Sequence, residues 1–283
     1  MKNSKTYGTS TDTEYVDTLS YFYSHSNENE VDGLEIARIV QEYFVYSEKL
    51  DWLDVGCGPG GKLAIIAEHL AHWGGPSIEL VGLDPSDYWL RRLEMHLGDG
   101  IYGLSLAKTV NSKWEEYVSF SSGHRFDLIT FMHSVYGLES DGTIIPSLLE
   151  VSSHLKEEGL IAFVVESPNS DLYKLKSELF DDVLDFDLVD YRLVENTLRS
   201  SNLSWKCLSD SKQKFKLGQS KEEALNNATA LSFIIQTKPE EYNSTLETDQ
   251  KKAIKKSLSD KLKEGGGEWY ISIPDRTYLA EKV

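Results

Sequence analysis

At 283 residues, 40% of them apolar, the chain is long enough to bury a core as one large α/β domain or as a domain with an added lobe. A formal net charge of −17 repels phosphate backbones and anionic lipid, so neither nucleic acid nor a membrane surface is an expected partner; it attracts cationic ligands, although solubility alone also accounts for such acidity. No apolar run reaches the length of a membrane span, the start MKNSKTYGTSTDTEYVD has no apolar signal-peptide core, and the two cysteines, Cys57 and Cys207, are expected to stay unpaired in a reducing cytoplasm.

The first 45 residues carry helical spacing in YVDTLSYFYSHS and LEIARIVQEYFV. A strand–helix alternation follows. KLDWLDVG is a short apolar run ending in glycine, and GKLAIIAEHLAHW after it repeats apolar residues at helical spacing. SIELVGLD predicts a second buried strand, SDYWLRRLEMHL a helix capped by Ser86, and YGLSLAKT a third strand. FDLITFMHSV is nearly continuous in apolar residues, as a central parallel strand is. IPSLLEVSSHLKEEG then predicts a helix stopped by Gly159, ahead of a fifth strand, LIAFVVES. Helices between buried strands imply an open parallel sheet with helices on both faces. Beyond residue 168 the rhythm changes: DLYKLKSELFDDV, YRLVENTLRSSN and KEEALNNATALSFII predict helices and LSWKCLSD a strand. TDQKKAIKKSLSDKLKEGGG is a charged helix running into a glycine loop, and EWYISIPDRTYLAEKV supplies a last strand or hairpin. The division expected is a helical cap over 1–45, a sheet-forming core over 46–168 and a carboxyl-terminal part over 169–283.

The most informative stretch is LDVGCGPGG. Gly56, Gly58 and Gly61 match the G-x-G-x-x-G spacing of dinucleotide sites, and Gly56, Gly58 and Gly60 match the G-x-G-x-G of adenosylmethionine sites. Glycines here let the backbone approach a ligand at the carboxyl end of one strand and the amino end of the next helix. Asp84, after LVGL, stands where a carboxylate accepts hydrogen bonds from a ribose diol, somewhat later than a dinucleotide fingerprint expects. Asp54 precedes the first glycine, and carboxylates beside the loop suit a cationic sulfonium and ammonium better than a pyrophosphate. A phosphate-binding P-loop is excluded because Lys62 is followed by Leu63.

LDVGCGPGG together with LVGLDPS resembles motif I and the following acidic motif of class I S-adenosylmethionine-dependent methyltransferases. That resemblance implies a Rossmann-like, doubly wound, seven-stranded, mostly parallel sheet with S-adenosylmethionine as cofactor. Its expected contacts are Asp54, Gly56, Cys57, Gly58 and Gly60 in the loop, then Asp84, Pro85 and Ser86, with Ser112 or Trp114 beside the adenine and Met132 at the end of strand four. YVDTLSYFYSHSNENE further resembles the start of the histamine N-methyltransferases, with a tyrosine–valine pair, a helix and a His-Ser-x-Glu turn. The likeness runs over nearly the whole chain, through LDPS, HSVYGLES and NATALSFII, as in a distant relative.

This second resemblance gives the caps outside the core a role in the substrate site. It implies that Glu28 binds the acceptor's amine or imidazole; by itself, a glutamate in HSNENE reads as solvated or helix-capping. It places His133 where the family has a substrate-touching glutamine. A histidine there either bonds the acceptor or takes its proton, or it rests on backbone. Tyr136 follows strand four and is a further substrate candidate. Two departures stand out. Where the family has pocket tryptophans, this chain has Leu172, Tyr173 and Leu175; where it has a substrate-binding asparagine, this chain has Pro274, flanked by Asp275 and Arg276. Trp114, Tyr136, Phe180 and Phe233 either line a pocket or belong to the core. No Cys/His cluster has metal-ligand spacing, so no metal is expected, and no G-x-S-x-G is present. The expected activity is N-methylation of a small amine or imidazole, with Glu28 and His133 as catalytic residues. The alternatives are O-methylation of a small molecule and a non-catalytic cofactor-binding protein.

Overall fold

The computed structural model describes residues 13–121, 123–137, 149–179, 191–208, 210–237 and 239–282. In chain order its elements begin with α1 (Thr13–His25), α2 (Glu28–Tyr43), β1 (Lys49–Val55), α3 (Gly61–Trp73), β2 (Ser77–Asp84), α4 (Asp87–Leu97) and β3 (Leu104–Asn111). Next come α5 (Trp114–Phe120), β4 (Phe126–Met132), β5 (Leu155–Glu166), α6 (Asp171–Leu179), α7 (Tyr191–Ser200), β6 (Leu203–Cys207) and β7 (Lys214–Gly218). The last are α8 (Lys221–Asn226), α9 (Ala228–Ile234), α10 (Pro239–Ser244), α11 (Thr248–Ser259), β8 (Lys263–Gly265), β9 (Glu268–Ser272) and β10 (Asp275–Lys282). Among the described residues no helix is long and apolar enough to cross a membrane.

The chain forms two compact units. The larger comprises the described residues of Asn29–Val165, Val189–Ser209 and Arg276–Val283. Its seven-stranded sheet has the order β3-β2-β1-β4-β5-β10-β6, the Rossmann-like α/β fold expected from the strand–helix alternation. β1 pairs in parallel with β2 and β4, β2 with β3 and β4 with β5, while β10 runs antiparallel to β6. Alternate residues of each strand feed opposite layers, because side chains alternate across a strand. Trp52, Leu80 and Leu128 pack with Ile36, Val40, Leu63, Ile66 and Leu93 from α2, α3 and α4. Leu53, Val55, Ile129 and Phe131 face the other layer, with Trp114, Tyr117, Val194 and Leu198 from α5 and α7. Both faces are covered, which is why the central strands read as almost unbroken apolar runs.

The smaller unit comprises the described residues of Met1–Glu28, Glu166–Leu188 and Asp210–Asp275. Its three-stranded antiparallel sheet, β7-β9-β8, packs with α1, α6 and α9 through Phe22, Leu172, Leu175, Phe215, Leu231 and Ile271. Phe22 stacks on Phe233 at 4.3 Å and meets Phe215 edge-on at 5.0 Å, a geometry aromatic rings favour. Asn227 splits the helix expected over KEEALNNATALSFII: its side chain accepts the Ala230 N–H at 3.1 Å and starts α9 as an N-cap.

Three local expectations are corrected. Gly159 does not stop a helix. It lies inside β5, which begins at Leu155, and the register of β4 against β5 shifts between Phe126 and Leu128. A Cβ on Gly159 would sit 2.7 Å from Leu155 Cγ and 2.9 Å from the Phe126 carbonyl oxygen, so glycine permits the irregularity. The first part of that expected helix, 145–148, lies outside the described residues. Ser86 occupies the N-cap position of α4 without a side-chain cap; its hydroxyl is buried with no partner among the described residues. EWYISIPDRTYLAEKV is not a hairpin, because β9 and β10 belong to different sheets, and β7, in KFKLG, was not anticipated.

Candidate functional site

In an open α/β sheet, ligands bind at the carboxyl ends of the strands where the strand order reverses. Here that point lies between β1 and β4. The glycine loop follows β1, Asp84 ends β2, and His133 follows β4.

The loop is anchored through its own backbone. The Gly56 and Cys57 N–H groups both donate to the Leu83 carbonyl on β2, at 2.7 and 3.1 Å. Gly56, Gly58 and Gly60 all have positive φ, at +70°, +52° and +82°. Their reasons for being glycine differ. A Cβ on Gly56 would meet Ser134 Cβ at 2.2 Å, and one on Gly60 would meet Leu93 Cδ1 at 2.6 Å, so those two glycines serve packing within the fold. A Cβ on Gly58 would meet nothing within 4 Å among the described residues. Gly58 is therefore the loop glycine that borders open space, the cradle a bound cofactor needs.

Asp84 accepts the Gly58 N–H at 3.0 Å on Oδ2 and the Ser86 N–H at 2.8 Å on Oδ1. Burial pushes its carboxyl up, against the pull of those two N–H groups. An ionised carboxylate has about four acceptor sites, so two donors leave capacity for a ribose diol. Asn111 Nδ2 bonds the exposed Pro85 carbonyl at 3.1 Å. Ser112, buried, spends its hydroxyl on the Lys113 carbonyl and Glu116, at 3.0 and 3.2 Å. Met132 is half-buried at the end of β4. Cys57 is buried, and burial, followed by Asp54 and Asp84, pushes its thiol well up, so it is no nucleophile at neutral pH.

Asp54 is buried at the end of β1. Its Oδ1 accepts the Thr130 hydroxyl at 2.5 Å, and Thr130 in turn accepts the Trp52 indole N–H at 2.7 Å. Burial pushes the Asp54 carboxyl up to about 7, despite the Thr130 hydrogen bond and the Lys62 charge. Because this folded-state value lies above the ordinary 3.8, the native state binds the proton more tightly than the unfolded chain. The stabilisation is complete below about pH 4 and is lost as pH rises through about 7. We expect this one group to cost the cofactor-free protein about 2–3 kcal/mol between pH 5 and 8. Urea denaturation should show that loss in the wild type and its absence in Asp54→Asn, whose amide oxygen still accepts from Thr130. Equal pH dependence in the two proteins would refute the assignment.

His133 has φ +58°, in the left-handed region that costs a residue with a Cβ about 1–2 kcal/mol. Its N–H is held by the Val164 carbonyl at 2.9 Å, and its half-buried ring lies 6.0 Å, centroid to centroid, from that of Tyr136. Strain of this kind collects at functional sites. His133 Nε2 lies 3.3 Å from Asp32 Oδ2, and the same oxygen accepts the Lys62 ammonium at 2.7 Å. Burial pushes the Asp32 carboxyl up, but Lys62 and His133 outweigh it and hold it below the ordinary carboxylate value. Asp32 and Lys62 were not anticipated. The available signals were an acid one turn after Glu28 on α2 and a glycine, Gly33, inside that helix.

Glu28 is buried at the first position of α2. In the smaller unit, Tyr173 is half-buried on α6, and its N–H meets Ser170 Oγ at 3.3 Å. Asp275 is buried at the start of β10, its N–H donating to Ser211 Oγ at 2.7 Å. Trp114 is core, set edge-on to Phe131 at 5.4 Å, and Phe233 packs in the core of the smaller unit. Phe180 lies outside the described residues.

A methyltransferase domain family matches residues 28–221. No curated protein matches the sequence significantly. Among solved structures, the chain is similar to the YcgJ protein of Bacillus subtilis, at 12% identity and TM-score 0.55, over 88% of this chain and 98% of that one. It is similar to the plantazolicin methyltransferase BpumL, solved with SAH, at 13% identity and TM-score 0.52, over 96% and 92% of the two chains. A cyclopropane-fatty-acyl-phospholipid synthase-like protein of Lactobacillus casei aligns at 14% identity and TM-score 0.54, over 89% and 90%. At these identities the likeness is one of fold.

Proposed function

This chain belongs to the methyltransferase domain family and is an S-adenosylmethionine-dependent enzyme, and from that premise we propose that it methylates a nitrogen of a small amine or imidazole. When bound, S-adenosylmethionine supplies a methyl group already activated on a sulfonium sulfur, so the protein contributes mainly alignment, desolvation and proton handling. Gly58 and Asp84 would hold it, the first by giving it room and the second by accepting from its ribose. Asp54, its carboxyl raised to about 7 by burial, would be drawn into its ionised form by the cofactor's positive charge.

The observation that carries the acceptor reading is His133, strained at the carboxyl end of β4 and tied through Nε2 to a buried carboxylate. An ammonium or imidazolium has no lone pair to donate, so the site must bind the neutral form or take a proton before transfer. Asp32 is an ionised carboxylate and accepts only, so the hydrogen between it and His133 resides on Nε2. In the neutral ring, Nδ1 is then the basic nitrogen, and it takes the acceptor's proton. Glu28 orients the acceptor; the likeness of Tyr15–Glu30 to the histamine N-methyltransferases supports that role, and a net charge of −17 favours a cationic acceptor. The setting proposed is the cytoplasm, supported by a chain that carries only two cysteines, Cys57 and Cys207, one of them in the glycine loop.

The test is incubation with S-adenosylmethionine and a panel of histamine, histidine derivatives and aromatic amines beside hydroxyl and carboxyl analogues. Tandem mass spectrometry then locates the methyl group. A methyl on nitrogen is expected; transfer to oxygen alone would overturn the reading. With the acceptor so found, Glu28→Gln should raise KM for it about tenfold, the loss of one charge-assisted hydrogen bond, with cofactor affinity kept. An unchanged KM would mean that Glu28 only opens α2.

A further inference from the structure

We infer that Lys62 and Asp32 are a positioning pair that fixes the tautomer and sets the basicity of His133. The inference rests on reading His133 as the acceptor's base, and it assigns roles to two residues that act only through that histidine.

The pair is deeply placed, with side-chain exposures of 10% for Lys62 and 1% for Asp32. Desolvating two ions costs several kcal/mol each, and apolar residues of similar volume often do as well or better. Stability alone is thus a poor reason for the arrangement. Bringing it about carries a further cost. Gly33, inside α2, lets that helix approach α3: a Cβ there would sit 2.8 Å from Ile65 Cγ2 and 3.5 Å from the Lys62 carbonyl oxygen. Glycine inside a helix costs about 1 kcal/mol relative to alanine. What the close approach achieves is the contact itself, with Asp32 on α2 reaching Lys62 in the first turn of α3.

Both donors then converge on one atom. Asp32 Oδ2 receives Lys62 Nζ at 2.7 Å and His133 Nε2 at 3.3 Å. A lone buried carboxylate would fix the ring's tautomer but would also hold the ring protonated. The ammonium on the same oxygen offsets that charge, so the tautomer is fixed with less bias toward the protonated ring. Glu28 and Glu35 lie on α2 with Asp32, Asp54 on β1 feels the Lys62 charge, and the Tyr136 ring is 6.0 Å from that of His133. Lys62 also directly follows the Gly60–Gly61 pair, so the segment that shapes the cofactor loop carries the ion that sets the base.

The test is ¹⁵N NMR of histidine-labelled protein, with His133→Gln assigning the resonance; it needs no acceptor. The wild type should show the Nε2–H form above the His133 pKa. Lys62→Met should raise that pKa by about one unit, and Asp32→Asn should lower it by about one unit and mix the tautomers. Lys62→Arg should restore wild-type behaviour. If Lys62→Met does not fold, Lys62→Gln keeps an amide donor without the charge and should shift the pKa the same way. An unmoved His133 titration in the Asp32 and Lys62 variants overturns the pairing. Once an acceptor is known, the acid limb of kcat against pH should move with the NMR value. A limb that stays put while the NMR value moves overturns the base role of His133 and leaves the positioning pair established.

Discussion

Gly58→Val is expected to weaken S-adenosylmethionine binding by roughly a hundredfold or more while leaving a folded protein, because the new side chain enters the space the cofactor needs. The backbone at Gly58 has φ +52°, which a β-branched residue tolerates poorly, so a stability loss of about 1–2 kcal/mol accompanies the change. Gly74 provides the control. It too has positive φ, +69°, and open space where a Cβ would go, but it lies at the far end of α3. Gly74→Val should carry similar strain and leave cofactor affinity unchanged. Titration calorimetry with S-adenosylmethionine, beside thermal denaturation, separates the two effects. Gly56→Ala and Gly60→Ala are less informative, because their side chains would strike Ser134 and Leu93 and disturb the loop from within. Tight binding by Gly58→Val would show that the loop does not face the cofactor.

His133→Asn should lower kcat by roughly 10²- to 10⁴-fold, the range general-base removal typically costs, with cofactor affinity unchanged. Asparagine is chosen because it tolerates the left-handed conformation at φ +58° better than most residues. The thermal midpoint should therefore stay close to that of the wild type. His133→Val would lose activity as well, but it would add backbone strain of about 1–2 kcal/mol, so it cannot separate chemistry from folding. Steady-state kinetics with the acceptor found in the amine panel reads the effect directly. A variant with wild-type kcat would leave His133 as a structural residue at the end of β4.

The two experiments probe parts of the site that differ in how far the residues alone revealed them. Gly58 and Asp84 stand on a local pattern: a strand, a turn of glycines, a helix, and a second strand ending in an acid. Each step is spelled by neighbours in the chain, so the pattern survives without knowledge of the packing. His133 was visible for a related reason, a polar residue at the end of FDLITFM, where a buried parallel strand must end at the ligand crevice. Its left-handed backbone was not visible, since nothing in MHSV demands it. The expectation that Gly159 stops a helix failed because KEEG reads as a frayed helix end, whereas the pairing of β5 with β4 imposes an irregular strand start there. Trp114 could not be assigned to pocket or core until Phe131 and Tyr117 were found around it.

Local order along this chain thus sufficed for the alternating strands and helices, the glycine loop after β1 and the acid at the end of β2. Such features depend on contacts between residues a few positions apart, which periodicity and turn chemistry record. The Lys62–Asp32–His133 cluster depends on contacts spanning 30 and 101 positions, made when α2 closes on α3 over Gly33 and β4 delivers its last residue to the crevice. Nothing in the three short stretches foretells the others. Their meeting arises from the burial that drives the helices onto the sheet, and with it the cluster proposed to serve the acceptor.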